Sequence, residues 1–355
     1  MHFKQIDSVR FFSVLFVMIS HWLSNIPFIE NLKLGTIGVE MFFTISGFLI
    51  SLQLFNYKVE VDKKTYTLKK TLFIFYIRRI LRIFPLYYFV LLFATVINKG
   101  EILAALPWNI TYTTNFYFIK IQHWSSTFSQ FWSLSVEEHF YIFWPLLVLL
   151  TPAKHVLKCI ILVAISSLTF RFWQFHSSHD FILINIHTLS CLDLFMMGAL
   201  LAFLVHRGLF TQLFMHQYLK AIALFLFILL LLIDITKQQW ELFNWVFQRF
   251  FFGFCYFILL GFLVKGFTGK IVSVLENKYF IRLGKLSYCM YLIHNFVPGI
   301  LLPIKEYHLP SGIEFFIYLM VTILFSEILY RFIEQPMRNL NTYFTLKTDL
   351  KDAAK

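Results

Sequence analysis

Long apolar runs recur along nearly the whole chain. Crossing the hydrocarbon core of a bilayer takes about 20 mostly apolar residues, and the sequence offers about ten such segments. Because a backbone in lipid must satisfy its own hydrogen bonds, each segment is expected to be a helix. The segments lie near 8–26, 36–56, 75–97, 131–150, 156–173, 189–206, 218–235, 245–266, 283–303 and 312–333. The pattern predicts an all-α, polytopic integral membrane protein.

Two stretches depart from this pattern. Residues 98–130 are aromatic but interrupted, and they are expected to lie in the membrane interface or to re-enter the membrane. Residues 341–355 are mostly polar and predict a short cytoplasmic tail, which leaves 1–340 as one membrane domain. The sequence shows no internal repeat and predicts no appended soluble domain, so the function is expected to lie within the membrane.

Composition supports the membrane interpretation. The chain is 59% hydrophobic and 20% aromatic but only 14% charged, whereas a soluble chain carries about 25% charged residues. The four cysteines lie within apolar runs and form no CxxC pair, so we interpret them as buried hydrophobic residues without a disulfide or metal role. No metal and no permanently bound cofactor is expected. The first 25 residues resemble a signal peptide but lack a small-residue cleavage site, which indicates a retained first helix.

The net charge of +12 raises the question of a nucleic-acid partner. With ten spans, alternate connections lie on the same side of the membrane. Most of the 31 Lys and Arg residues fall on one such set, formed by the N-terminus, 57–82, 151–158, 207–220, 265–285 and the C-terminus. Cytoplasmic loops carry an excess of Lys and Arg, so both termini are predicted to be cytoplasmic. The charge therefore indicates topology and contact with anionic lipid headgroups rather than nucleic acid.

Ionisable residues inside a span cost about 2.5–3.5 kcal/mol on insertion scales and usually face an interior cavity. Arg10 and His21 stand eleven residues apart on the first helix, which is about three turns and roughly 16 Å, so they share one face. Arg10 is expected near the inner surface and His21 in the outer half of the membrane. The spacing alone also allows a snorkelling arginine and a structural histidine.

Two further helices carry paired charges. Arg79 and Arg82, at i and i+3, could clamp a phosphate through their forked donors, although a positive-inside flank explains them equally simply. Glu137 and Glu138 open the fourth helix and could orient or tune an imidazole. Since a helix N-terminus favours negative charge, a structural role for these carboxylates stays open.

Three isolated residues complete the set of candidates. Glu40 lies on the second helix among glycines that permit close helix approach or a broken helix beside a cavity. Asp193 lies near the outer end of the sixth helix, and His294 lies near the middle of the ninth. A structural hydrogen bond is the simpler interpretation of His294.

Taken in order, seven motifs resemble acyltransferase family 3, the multispanning membrane acyltransferases that modify cell-surface carbohydrate and other acceptors. The resemblance covers nearly the whole chain. The motifs are Ile6-Asp7 with Arg10 and His21; Gly38-Val39-Glu40 through Ser46-Gly47; Arg79 and Arg82 before Pro85; Trp132 through Glu137-Glu138 to Tyr141; Leu192-Asp193 with Gly198; Ser287-Tyr288 through Tyr291 to His294; and Ile333-Glu334 before Pro336.

The resemblance implies a role for each matching residue. His21 is the catalytic histidine with Arg10 as its functional partner, and Glu137 belongs to the active cavity. Arg79 and Arg82 engage the donor, an acyl-coenzyme A and usually acetyl-coenzyme A. We expect His21, kept basic by a nearby carboxylate such as Glu137, to deprotonate an acceptor hydroxyl, with an acyl-histidine intermediate as the alternative. The substrate cavity is expected to include Glu40, Ser46, Gly47, Glu138, Asp193 and His294.

The chain departs from the family pattern at three positions. Ser8 stands where glycine is usual, Glu40 where aspartate is common, and Cys191 where many relatives carry arginine. The change at Cys191 bears on how the outer cavity binds its acceptor. Some members pass the acyl group to a fused periplasmic hydrolase-like domain, whereas this chain is expected to be of the stand-alone type and to transfer directly.

The expected activity is that of a bacterial inner-membrane O-acetyltransferase. Its carbohydrate acceptor is expected to be a cell-surface glycan such as the O-antigen of lipopolysaccharide. The alternatives are a small-molecule or peptidoglycan acceptor and a proton-coupled membrane transporter. A lipid-linked sugar transferase is disfavoured because such enzymes usually need an acidic metal motif and no DxD occurs.

Overall fold

A computed structural model describes residues 3–97, 100–235, 240–301 and 309–346. Within these ranges the chain is helical and forms no strand, which confirms the all-α prediction. Ten helices of sixteen residues or more each overlap one of the ten predicted segments. They are α1 Lys4–Trp22, α2 Leu34–Asp62, α3 Leu68–Ile97, α4 Phe131–Leu150, α5 Val156–Ser177, α6 Thr188–His206, α7 Tyr218–Ile235, α8 Gln248–Lys265, α9 Lys278–Ile293 and α10 Ser311–Leu329.

Seven helical stretches of the described chain are long and apolar enough to cross a membrane. They contain α2, α3, α4, α5, α6, α8 and α10. The chain is therefore a polytopic membrane protein. Helix α9 has only 16 residues, three of them Lys or Arg, and α1 carries Lys4, Asp7 and Arg10. The total of ten spans and the cytoplasmic side of both termini stay predictions.

The predicted insert before α4 folds as three short helices, none of which is long enough to span. These are Glu101–Ala104, Leu106–Ile110 and Thr114–Ile121. The backbone N–H of Thr114 donates to the Ser135 hydroxyl on α4 at 3.2 Å, which fixes the third short helix against the start of α4. The insert thus packs against the N-terminal part of α4. Residues 98–99 of the insert lie outside the described residues. So do residues 347–355, which make up most of the predicted tail 341–355.

Close backbone contacts at glycines hold the central helices together. A Cβ atom on Gly284 of α9 would stand 1.8 Å from the Asp7 carbonyl oxygen of α1. A Cβ atom on Gly38 of α2 would stand 2.3 Å from the Ser13 carbonyl oxygen, also of α1. Small residues let membrane helices approach at such distances. Helix α1 is therefore wedged between α2 and α9.

Gly47 belongs to the same packing and corrects one prediction. A Cβ atom there would lie 2.1 Å from the Phe195 carbonyl oxygen, and one on Gly198 would lie 2.1 Å from the Thr44 carbonyl oxygen. Helices α2 and α6 thus cross in backbone contact. Gly47 was expected in the substrate cavity, but it packs against α6 and lines neither of the two cavities described below.

Asp193 was expected to line the substrate cavity, but it forms a buried ion pair. Its carboxylate accepts from both terminal nitrogens of Arg171 on α5, at 3.0 and 2.6 Å, and neither side chain is more than 1% exposed. The Arg171 Nε also donates to the Val246 carbonyl at 2.9 Å. A buried charge needs such a partner, and Arg171 was not singled out in the sequence. The pair ties α5 and α6 to the turn before α8.

The cysteines were expected to be buried, and three of the four are. All four are unpaired, and Cys191, Cys255 and Cys289 are buried while Cys159 is partly exposed. Over the described ranges, no group of three or more His, Cys, Asp or Glu side chains is placed to hold a metal ion.

Candidate active site

Two adjoining cavities contain most of the predicted site residues. The arginine cavity is lined by Arg10, Ser46, Arg79, Arg82, Glu137, Glu138 and Tyr141, among others. The histidine cavity is lined by His21, Thr36, Glu40, Trp124, Gln130, Trp132, Asn185 and Arg249, among others. Val39, Phe43 and Tyr291 line both cavities and form the wall between them.

Helix α1 places one ionisable residue in each cavity. It is continuous from Lys4 to Trp22, so Arg10, Val17 and His21 follow one face at helical spacing. Arg10 lines the arginine cavity, and Val17 and His21 line the histidine cavity. The predicted shared face of Arg10 and His21 is confirmed.

The arginine cavity holds excess positive charge. Arg79 donates to the Gln53 side-chain oxygen at 3.0 Å, and its guanidinium lies 5.6 and 6.0 Å from the ring centres of Phe75 and Tyr141. Within the described part of the chain, Arg10 and Arg82 make no hydrogen bond or ion pair. Arginines left with free donors in a partly buried cavity suit a phosphate group.

Carboxylates lie in the same cavity as the arginines. The Ser46 hydroxyl donates to Glu137 Oε1 at 3.0 Å, and the Tyr141 hydroxyl approaches Glu137 Oε2 at 3.2 Å. Glu138 is buried and lines the cavity beside them. The structure therefore brings Ser46, Glu137 and Glu138 together in the cavity that also holds Arg10 and Arg82.

The hydrogen-bond partners of His21 correct the prediction of a carboxylate. Its Nδ1 lies 2.9 Å from His294 Nε2 and 2.8 Å from Asn295 Oδ1. The two imidazole rings stack with centres 5.0 Å apart. Glu137 faces the arginine cavity instead, where it accepts hydrogen bonds from Ser46 on α2 and from Tyr141 on α4 itself. His294 is fully buried behind His21. The sequence analysis did not identify Asn295, which follows α9 and belongs to none of the quoted motifs.

Glu40 lines the histidine cavity as predicted, but as half of an ion pair. Arg249 Nε on α8 donates to Glu40 Oε1 at 3.0 Å, and the Tyr256 hydroxyl donates to Oε2 at 3.2 Å. Arg249 Nη1 also lies 3.7 Å from Cys191 Sγ. Arg249 thus brings a guanidinium next to Cys191, which stands where the family pattern often has an arginine. The sequence analysis did not name Arg249, although a charged residue within an apolar run indicates a functional or structural role.

A comparison with known protein families identifies the family of this chain. The family model described as an acyltransferase domain matches residues 3–331, which is nearly all of the chain. The chain belongs to acyltransferase family 3. The family assignment covers every helix from α1 to α10 and both cavities.

Individual relatives carry acetyltransferase names. O-acetyltransferase OatA of Staphylococcus aureus (strain NCTC 8325 / PS 47) is 26% identical over 364 residues, which cover 94% of this chain and 57% of OatA. A second protein, from Staphylococcus aureus (strain COL), has a provisional O-acetyltransferase name and is 28% identical over 365 residues, with the same coverage. The chain therefore spans little more than half the length of these relatives. No solved structure matches it.

Proposed function

We propose that this member of acyltransferase family 3 is a membrane O-acetyltransferase that moves an acetyl group from acetyl-coenzyme A to an acceptor hydroxyl. The observation that carries the proposal is the pair of cavities: one holds three arginines, the next holds an accessible histidine, and they share one wall. The O-acetyltransferase names of the relatives support the same reaction. Family membership favours acyl transfer over the proton-coupled transporter.

The arginine cavity is proposed as the place where the donor's phosphates bind. Coenzyme A carries several phosphates, and Arg10 and Arg82 have free donors for them. The excess of Lys and Arg on one set of connections supports an orientation with the N-terminus, and hence Arg10, toward the cytoplasm. Acetyl-coenzyme A is a cytoplasmic metabolite, so this orientation brings the donor to the arginine cavity. A plasma-membrane location in a bacterium is part of the proposal.

The chemistry proposed for His21 is general base catalysis. The acceptor oxygen attacks the thioester carbonyl while the imidazole takes its proton. The carbon–sulfur bond then breaks, and the proton passes to the departing thiolate. The products are the acetyl ester and free coenzyme A, so no other reactant is needed.

The lining of the histidine cavity supports a sugar acceptor. Trp124 and Trp132 contribute aromatic rings, while Gln130 and Asn185 contribute amide groups that are also hydrogen-bonded within the protein. Apolar faces with a few placed polar groups are typical of small-ligand sites. We therefore propose a cell-surface glycan as acceptor, either lipopolysaccharide O-antigen or peptidoglycan.

An acetyl-transfer assay tests this function. The full chain is reconstituted in sealed vesicles, and acetyl-labelled acetyl-coenzyme A is supplied on one face with O-antigen or peptidoglycan fragments on the other. We expect alkali-labile label on one of the glycans, and only when the donor is on the face that carries the N-terminus. Label that stays in coenzyme A or is released only as acetate would contradict the proposal.

Arg82 should control donor binding. Arg82→Gln removes a charged donor from the arginine cavity, and hydrogen bonds to charged groups contribute about 1.5–3 kcal/mol. The Michaelis constant for acetyl-coenzyme A should rise about tenfold or more, while that for the glycan stays unchanged. Arg78→Gln on the same helix is the matched control, because Arg78 donates to the Tyr57 hydroxyl at 2.8 Å. Equal donor constants for the two variants would argue against the phosphate site.

A further inference from the structure

The chain just beyond α9 holds a hydrogen-bond network that ends on a single atom, Nδ1 of His21. Two branches reach this atom, one through His294 and one through Asn295. Each branch begins at a backbone carbonyl of α9, whose role as acceptor is fixed. The donor and acceptor roles can therefore be followed outward from these two carbonyls to His21.

The first branch passes through His294. Its Nδ1 lies 2.6 Å from the Tyr291 carbonyl oxygen, so Nδ1 must carry a hydrogen and donate. In a neutral imidazole the other nitrogen is then an acceptor. His294 Nε2 thus presents a lone pair to His21 Nδ1 at 2.9 Å, and His21 must donate.

The second branch passes through Gln130 and Asn295. Gln130 Nε2 donates to the Leu292 carbonyl at 3.1 Å, which turns Gln130 Oε1 toward Asn295. Asn295 Nδ2 donates to that oxygen at 2.8 Å and to Ser129 Oγ at 3.0 Å. The remaining Asn295 atom, Oδ1, accepts from His21 Nδ1 at 2.8 Å. This branch again requires a hydrogen on His21 Nδ1.

Both branches select the same tautomer of His21. The opposite tautomer would direct its Nδ1 lone pair at two acceptors, His294 Nε2 and Asn295 Oδ1. Turning those acceptors into donors would break the bonds to the Tyr291 and Leu292 carbonyls. The His21 side chain is exposed on the histidine cavity while Nδ1 is engaged, so Nε2 is the nitrogen free to accept a proton.

We propose that His294 and Asn295 are positioning residues that hold His21 in its Nδ1–H tautomer and make Nε2 the base of the acetyl transfer. The catalytic part of this proposal rests on the proposed function. The hydrogen-bond acceptors are a neutral imidazole and an amide, so they orient His21 without the negative charge of an Asp–His pair. Either acceptor alone satisfies Nδ1–H.

Kinetics of single and double variants test the redundancy. His294→Phe and Asn295→Leu each leave one acceptor, so each should lower kcat by less than about tenfold. The double variant frees the ring to adopt the wrong tautomer and should lose about 10²-fold or more, a general base being worth about 10²–10⁴-fold. Both Michaelis constants should stay within about twofold. His206→Phe, at the far end of α6, is the control.

The proposal would be overturned if the fold-loss of kcat in the double variant were only the product of the fold-losses in the two single variants. A change confined to the Michaelis constants would overturn it as well. A second measurement does not depend on activity. Nitrogen-15 histidine spectra of the wild-type protein, with His21 assigned by comparison with His21→Gln, should show a protonated Nδ1 and an unprotonated Nε2. A protonated Nε2 on neutral His21 would refute the tautomer even if acetyl transfer is found. If the spectrum is as expected but the His21→Ala variant keeps full activity, the tautomer is supported and the catalytic role of His21 is refuted.

Discussion

His21→Ala is expected to lower acetyl transfer by about 10³-fold or more. The change removes the only imidazole that the described residues present to the histidine cavity. A positioned general base contributes about 10²–10⁴-fold, and no carboxylate side chain lies within hydrogen-bonding distance of the His21 ring to replace it, among the described residues. The initial rate of label transfer per amount of folded protein, measured in intact membranes, checks the prediction.

Two comparisons make the His21 result specific. His206→Ala removes a histidine at the far end of α6 and should leave the rate unchanged. The dissociation constant for acetyl-coenzyme A should also be unchanged in His21→Ala, because the donor's phosphates are assigned to the arginine cavity. A rate above a tenth of the wild-type value would rule out His21 as the base, whatever its effect on stability.

Helical periodicity made part of this site predictable. The spacing of Arg10 and His21 fixes a common face on any continuous helix, and the structure has such a helix in α1. The same reasoning placed Arg79 and Arg82 together, and both line the arginine cavity. Apolar segment length located all ten long helices, because lipid permits few other backbone conformations.

Contacts between helices were not predictable in this way. Glu137 was expected beside His21, but a single sequence does not specify which face of α4 meets α1. Asn295 and Arg249 act across long sequence separations, at 274 and 209 residues from their partners His21 and Glu40. Such pairings depend on how closely the helices approach one another, which the glycines of α2, α6 and α9 determine.

Gly284→Val is expected to abolish acetyl transfer although Gly284 lines neither cavity. A Cβ atom there would lie 1.8 Å from the Asp7 carbonyl oxygen and 2.4 Å from its carbon. These are backbone atoms, so α1 and α9 must move apart, and such overpacking costs about 1–3 kcal/mol. Since α1 carries His21 and α9 leads to His294 and Asn295, the separation removes both acceptors from His21 at once. The rate per folded protein should fall at least as far as in the His294→Phe, Asn295→Leu double variant.

The matched control is Gly312→Val near the start of α10, where an added Cβ meets no atom of the described residues within 4 Å. This variant should keep its activity and thermal midpoint, which separates close packing from a general intolerance of larger residues. In Gly284→Val the nitrogen-15 spectrum should show a mixture of His21 tautomers, because α9 no longer supplies the two acceptors. A Gly284→Val protein with normal transfer and the wild-type His21 spectrum would mean that the contact of α1 with α9 does not hold the base in place.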